Sequence, residues 1–144
     1  MLLTLNGRIQ TRIFMLVVLG GFVTTVITPF LPGDPDHRTT YLVLLSVLVL
    51  GVLWELLYHG IQQFRWEKDW PTMFGLLTAL NEGALVWLLL ELEAVPGIDY
   101  PPDGVPFGAF LVMFTLVWLT IWVWTNGPMR IFLIRWRFFG GRIV

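Results

Sequence analysis

Glu55 and His59 stand four residues apart in the stretch "WELLYHGIQQFRWEKDWP", the spacing that puts two side chains on one face of a helix. A carboxylate beside an imidazole can exchange a proton near neutrality, which makes the pair a candidate for proton handling. The plainer reading is a Glu–His hydrogen bond that makes both groups tolerable near a membrane interface. Val52 and Gln62 continue the stripe on either side. A metal chelate is disfavoured, because the chain has no cysteine and its other histidine, His37, falls at the far end of the topology derived below.

Asn81 and Glu82 form a second polar point. Counted from Pro71, Glu82 lies about 16 Å along its helix, close to the middle of a hydrocarbon layer about 30 Å thick. Within the four spans assigned below, the ionisable groups are Glu55, His59 and Glu82. With His59 assigned to Glu55, Glu82 is expected to have no cationic partner in its own chain. A lone carboxylate in hydrocarbon takes up a proton rather than remain charged. The expectation is therefore a neutral Glu82, hydrogen-bonded to Asn81, Thr78 or backbone and turned to a helix interface.

Around it, Gly75, Ala79 and Gly83 recur every fourth residue and form a groove where another helix backbone can approach closely. The first apolar segment has a similar face in Gly20, Thr24 and Thr28, which makes it the expected partner. Packing explains the glycines well, and an acid at mid-depth poorly.

These groups need elements to hold them, and the composition says which. Hydrophobic residues make up 56% of the 144-residue chain and charged residues 13%, about half the charge of a soluble domain. Mean hydropathy is +0.74. A bilayer crossing takes about 20 apolar residues, and residues 13–31, 41–60, 71–92 and 107–125 supply four such runs. The fold class is an all-α membrane protein, with residues 1–144 as one four-helix unit and 126–144 as a basic, aromatic tail. The first run is long for a signal sequence, and "TTVITPFLPG" offers no small-x-small cleavage site, so it reads as an uncleaved helix.

Basic residues set the orientation. Arg8 and Arg12 precede the first span, Arg65 and Lys68 join the second to the third, and Arg130, Arg135, Arg137 and Arg142 follow the fourth. That places eight of the nine Lys and Arg residues on one side and Arg38 on the other. Both termini are expected in the cytoplasm, most naturally at the plasma membrane. Single cysteines at Asp34 and Asp99 should then react with an impermeant thiol reagent from outside, and one at Lys68 should not. Reversed labelling overturns the orientation.

The inner loop carries Arg65, Trp66, Lys68 and Trp70, mixed charges and indoles suited to a headgroup-level turn or to a protein partner. Pro71 and the preceding Asp69 favour a helix start. In the tail, Arg130, Arg135, Arg137 and Arg142 alternate with Trp136 and phenylalanines, which favours anionic lipid over nucleic acid. No nucleophile–base–orienter set or phosphate-binding loop stands out. The expected function is a non-enzymatic accessory, assembly or anchoring subunit of a larger membrane complex, with no cofactor and no nucleic acid. Its partners would be lipid and other membrane subunits or copies of itself. The alternative is a homo-oligomeric proton or ion pathway lined by Glu55, His59 and Glu82.

Overall fold

The computed structural model describes residues 4–67 and 72–144. Helix accounts for 76% of the chain, and among the described residues there are no strands. Four helices are long and apolar enough to cross a membrane: α1 (Leu5–Phe30), α2 (His37–Phe64), α3 (Thr72–Glu91) and α4 (Phe107–Asn126). Two short helices follow, α5 (Pro128–Phe132) and α6 (Ile134–Phe138). The expected starts of spans one and two fall inside longer helices. Lys68, Asp69, Trp70 and Pro71 lie outside the described residues.

The first correction concerns α1, which begins at Leu5 under a Thr4 cap that accepts from the Gly7 amide at 3.1 Å. Arg8 and Arg12 therefore belong to the helix itself rather than to a solvated segment before it. The inward face of α1 reads Arg8, Leu16, Gly20, Thr24 and Thr28, all buried and spaced by multiples of four. At 3.6 residues per turn such a stripe drifts by about 40° with every four residues. A wider π turn over Leu16–Gly20 takes up part of that drift. It keeps the arginines below and the threonines above directed into the same bundle.

Polarity is arranged inside out. Arg8, Glu55, Gln62 and Glu82 are buried, whereas Phe22, Leu53 and Leu80 on three different helices are exposed. Water would reject that outer surface and lipid would accept it. Toward the loop end of the bundle the interior is mainly apolar, with Leu44, Val47, Val86, Leu90, Met113 and Val117 packed beside the buried Thr24, Thr28 and Thr40.

The small-residue groove of α3 is occupied, though not by α1. A side chain at Gly75 would press on Trp122, and one at Gly83 on Phe114, both from α4. Gly20 instead faces Leu44 of α2 and Val117 of α4. The expected pairing of α1 with the α3 groove is thus replaced by aromatic side chains of α4 seated against glycine. Flat rings need the space that a missing Cβ leaves, and α4 has them in a ladder. Phe110, Phe114 and Trp118 stack at successive turns, with centroids 5.5 and 5.3 Å apart. Ala79 is half-buried between the two glycines.

The tail folds back on α1. Thr4 N–H donates to the Gly140 carbonyl at 2.9 Å, and Thr11 Oγ1 donates to the Gly141 carbonyl at 2.9 Å. The Gln10 side chain accepts from the Ile143 amide at 2.9 Å. Gly140 and Gly141 have φ of +66° and +83°, which glycine alone adopts without strain. Gly7 matters for the same contact, because a Cβ there would overlap the Gly140 carbonyl. Both chain ends therefore meet at one end of the bundle.

Candidate functional site: a buried charge network beside a cavity

The site is built on α1. Arg8 and Arg12, one turn apart, project together into the bundle, as i,i+4 residues do. Arg12 forks onto Glu82 of α3, its Nη1 donating to Oε2 at 2.7 Å and its Nη2 to Oε1 at 3.0 Å. From its other edge, Nε donates to Glu55 Oε1 at 2.9 Å. Arg8 Nη1 reaches the second Glu55 oxygen at 3.2 Å, and its Nη2 donates to Gln62 Oε1 at 2.7 Å. Two guanidiniums and two carboxylates thus form one network joining three helices, with formal charges that cancel. Bidentate Arg–carboxylate pairing of this kind is the strong form of the contact.

Glu82, only 2% exposed, is therefore not a lone acid. The expectation that Glu82 has no cationic partner in its own chain fails, because Arg12 lies inside the helix and reaches it. Asn81 Nδ2 donates instead to the Tyr58 hydroxyl at 2.8 Å, and that hydroxyl in turn hydrogen-bonds Glu82. Thr78 Oγ1 donates to the Gly75 carbonyl at 3.2 Å.

The Glu55–His59 pair is likewise replaced. Glu55 is taken by the two arginines, while His59 Nε2 lies 3.4 Å from the Gln63 amide nitrogen and its Nδ1 is buried without a partner. Sharing a face permits an i,i+4 contact but does not compel one, and the two guanidiniums occupy both Glu55 oxygens.

Gly51 makes the network possible. It sits one turn before Glu55, and a Cβ there would run into the Arg12 guanidinium. Trp118 supplies the opposite wall, with Arg12 Cζ 5.8 Å from its ring centroid.

Below the network, toward the chain ends, lies a cavity of about 300 Å³. Its wall comes from all four long helices and the tail. Arg8, Arg12 and Glu55 form one side, Trp118 and Trp122 another, and Trp136 with Arg130 the floor. The indole nitrogens of Trp118 and Trp122 donate to the Gly75 and Thr72 carbonyls at 2.9 and 3.2 Å. These bonds tie both rings to α3, and Trp118 is held further by its stack on Phe114.

The tail and loop residues divide. Trp136 is 2% exposed, packed on Met15 and Met129, with its Nε1 donating to Thr11 Oγ1 at 2.7 Å. It is part of the interior and is not a docking group. Arg135, Arg137 and Arg142 are exposed, and the guanidiniums of Arg135 and Arg137 lie 5.8 and 5.3 Å from the rings of Phe139 and Phe138. Arg65 lies over Phe74 at 5.1 Å, and Trp66 projects fully into the surroundings. Thr24, buried among apolar residues, has no partner for its hydroxyl.

Comparison with protein-family profiles, with curated proteins and with solved structures gives no match.

Proposed function

We propose that the chain is a non-enzymatic membrane protein that receives a small amphipathic ligand into the cavity between its helices from the cytoplasmic side. The observation that carries this reading is the juxtaposition itself: a 300 Å³ chamber with a complete ion network as its roof and three indoles in its walls. The volume lies at the lower end of small-ligand pockets. Buried ionisable groups in a membrane helix are costly, and they mark functional sites more often than packing sites. The apolar core above the network argues against a continuous proton or ion path, since a pathway through one bundle would have to cross the Leu44, Val47 and Met113 layer.

The subunit reading keeps one support. Phe64 and Trp66 stand 94% and 100% exposed at the loop between α2 and α3, and a partner complex would cover them.

Native mass measurement after release from detergent tests both. The expected result is one retained small-molecule mass per chain, lost when Ile121 in the cavity wall is replaced by Trp. A chain that emerges bare from every preparation overturns the ligand reading, and co-purifying foreign chains establish the subunit reading in its place.

A further inference from the structure

Two residues that line the cavity, Arg130 and Thr125, each carry one buried polar atom without a hydrogen-bond partner. Arg130, on α5, uses Nη2 to donate to Asn126 Oδ1 at 2.9 Å, while its Nε is buried without a hydrogen-bond partner. Thr125 Oγ1, also in the cavity wall, is buried and unpartnered as well. A buried polar group without a partner loses its hydration and gains nothing in return, so such groups are rare unless something fills the gap.

The charge balance has the same sign. Arg8 and Arg12 are matched by Glu55 and Glu82, whereas Arg130 has no acidic partner among the described residues. The site therefore has one positive charge in excess. Gly127 places it there. The fourth span ends at this glycine, with φ −115° and ψ −99°, and Pro128 starts α5 on a new axis. Arg130, two residues into α5, lines the cavity.

We infer that the ligand of this cavity is an anionic amphiphile, its oxyanion head held at the Arg130 guanidinium and the Thr125 hydroxyl and its apolar chain lying along Trp118, Trp122 and Ile121. The inference rests on the ligand-binding reading above and names the chemistry of its ligand. A guanidinium edge and a hydroxyl are donors only toward an oxyanion, and they reject a quaternary ammonium or other cationic head. One excess charge suits a singly charged phosphodiester or a carboxylate. The three indoles have no use for a free inorganic ion, so the head must come attached to a chain.

The test uses the full chain in phosphatidylcholine nanodiscs and amphiphiles with matched, bromine-labelled dodecyl chains that quench tryptophan emission. Dodecyl phosphate and dodecanoate are expected to quench saturably, and dodecyltrimethylammonium to quench only in proportion to its partition into lipid. Arg130→Gln should weaken anion binding roughly tenfold, the loss of one charge-assisted hydrogen bond, and Arg130→Lys should restore much of it. Thr125→Val gives a second, smaller loss in a variant with no charge to misplace. Inorganic phosphate at the same concentration should not displace the anionic probe. Equal displacement would overturn the amphiphile, and equal saturable binding of the cationic probe would overturn the oxyanion site while leaving a ligand cavity in place. Absence of saturable quenching by any probe would overturn the cavity reading itself.

Discussion

Arg12→Leu should destabilise the bundle by about 3–5 kcal/mol, the cost of removing one partner from a buried ion pair. The reason lies in what remains. Glu82 would lose both hydrogen bonds to the guanidinium and Glu55 would lose one, leaving carboxylates in an interior with few replacement donors. Arg12→Lys should recover only part of the loss, since one ammonium cannot fork onto Glu82 and reach Glu55 together. The double substitution Arg12→Gln with Glu82→Gln should be milder than Arg12→Leu alone, because it removes opposite charges in step. Thermal unfolding of the four proteins in detergent measures this. A stability for Arg12→Leu equal to that of the unaltered chain would show that the network contributes nothing to holding α1, α2 and α3 together.

Trp136→Ala is expected to have a comparable effect by a different route. Truncating a fully buried Trp costs about 3–5 kcal/mol, the lost transfer energy plus the void left behind. Here the void would merge with the cavity that Trp136 lines. The Thr11 hydroxyl would also lose its indole donor. Hydrogen exchange at the amides of residues 134–143 should accelerate throughout, as the tail loses its large buried side chain. Gly7→Ala should accelerate the same amides by pushing on Gly140 from the other side. Unchanged exchange in both variants would show that the tail is held by something other than its seat on α1.

The four long helices were legible in the sequence because apolar runs of that length have few other uses. The charge network was not, and the reason is specific. Arg8 and Arg12 precede the most apolar part of their segment, so a hydropathy threshold puts the helix start after them. Once Thr4 is recognised as a cap, the two arginines fall one turn apart on the face that continues through Leu16 and Gly20. The helices then hold two cations against Glu55 and Glu82, and the acid at mid-depth no longer lacks a partner. Gly51, one turn before Glu55, was the remaining signal: a small residue beside a buried acid marks space for a large side chain from elsewhere. Trp136 could not have been separated from its neighbours by pattern, because a tail that alternates Arg with aromatics looks the same whether or not one ring turns inward. The α4 ladder was legible as spacing in Phe110, Phe114 and Trp118, yet nothing in that spacing names α3 as the surface it meets.

The order of the charged residues along the chain has a consequence for how the protein is made. Synthesis runs from the amino terminus, so in a chain whose four helices cross a bilayer Arg8 and Arg12 would reach its edge before either acid exists. Near the end of a helix, a long basic side chain can bend toward headgroups and wait there at little cost. A carboxylate on a short stem in mid-span has no such refuge. Glu55 would arrive next and Glu82 last, by which time α1 already offers the guanidinium that pairs with it. The chain thus lays down the charges that tolerate waiting before the one that does not. Exchanging the arginines with the glutamates would keep every pair intact on paper while stranding a cation in mid-membrane during biogenesis.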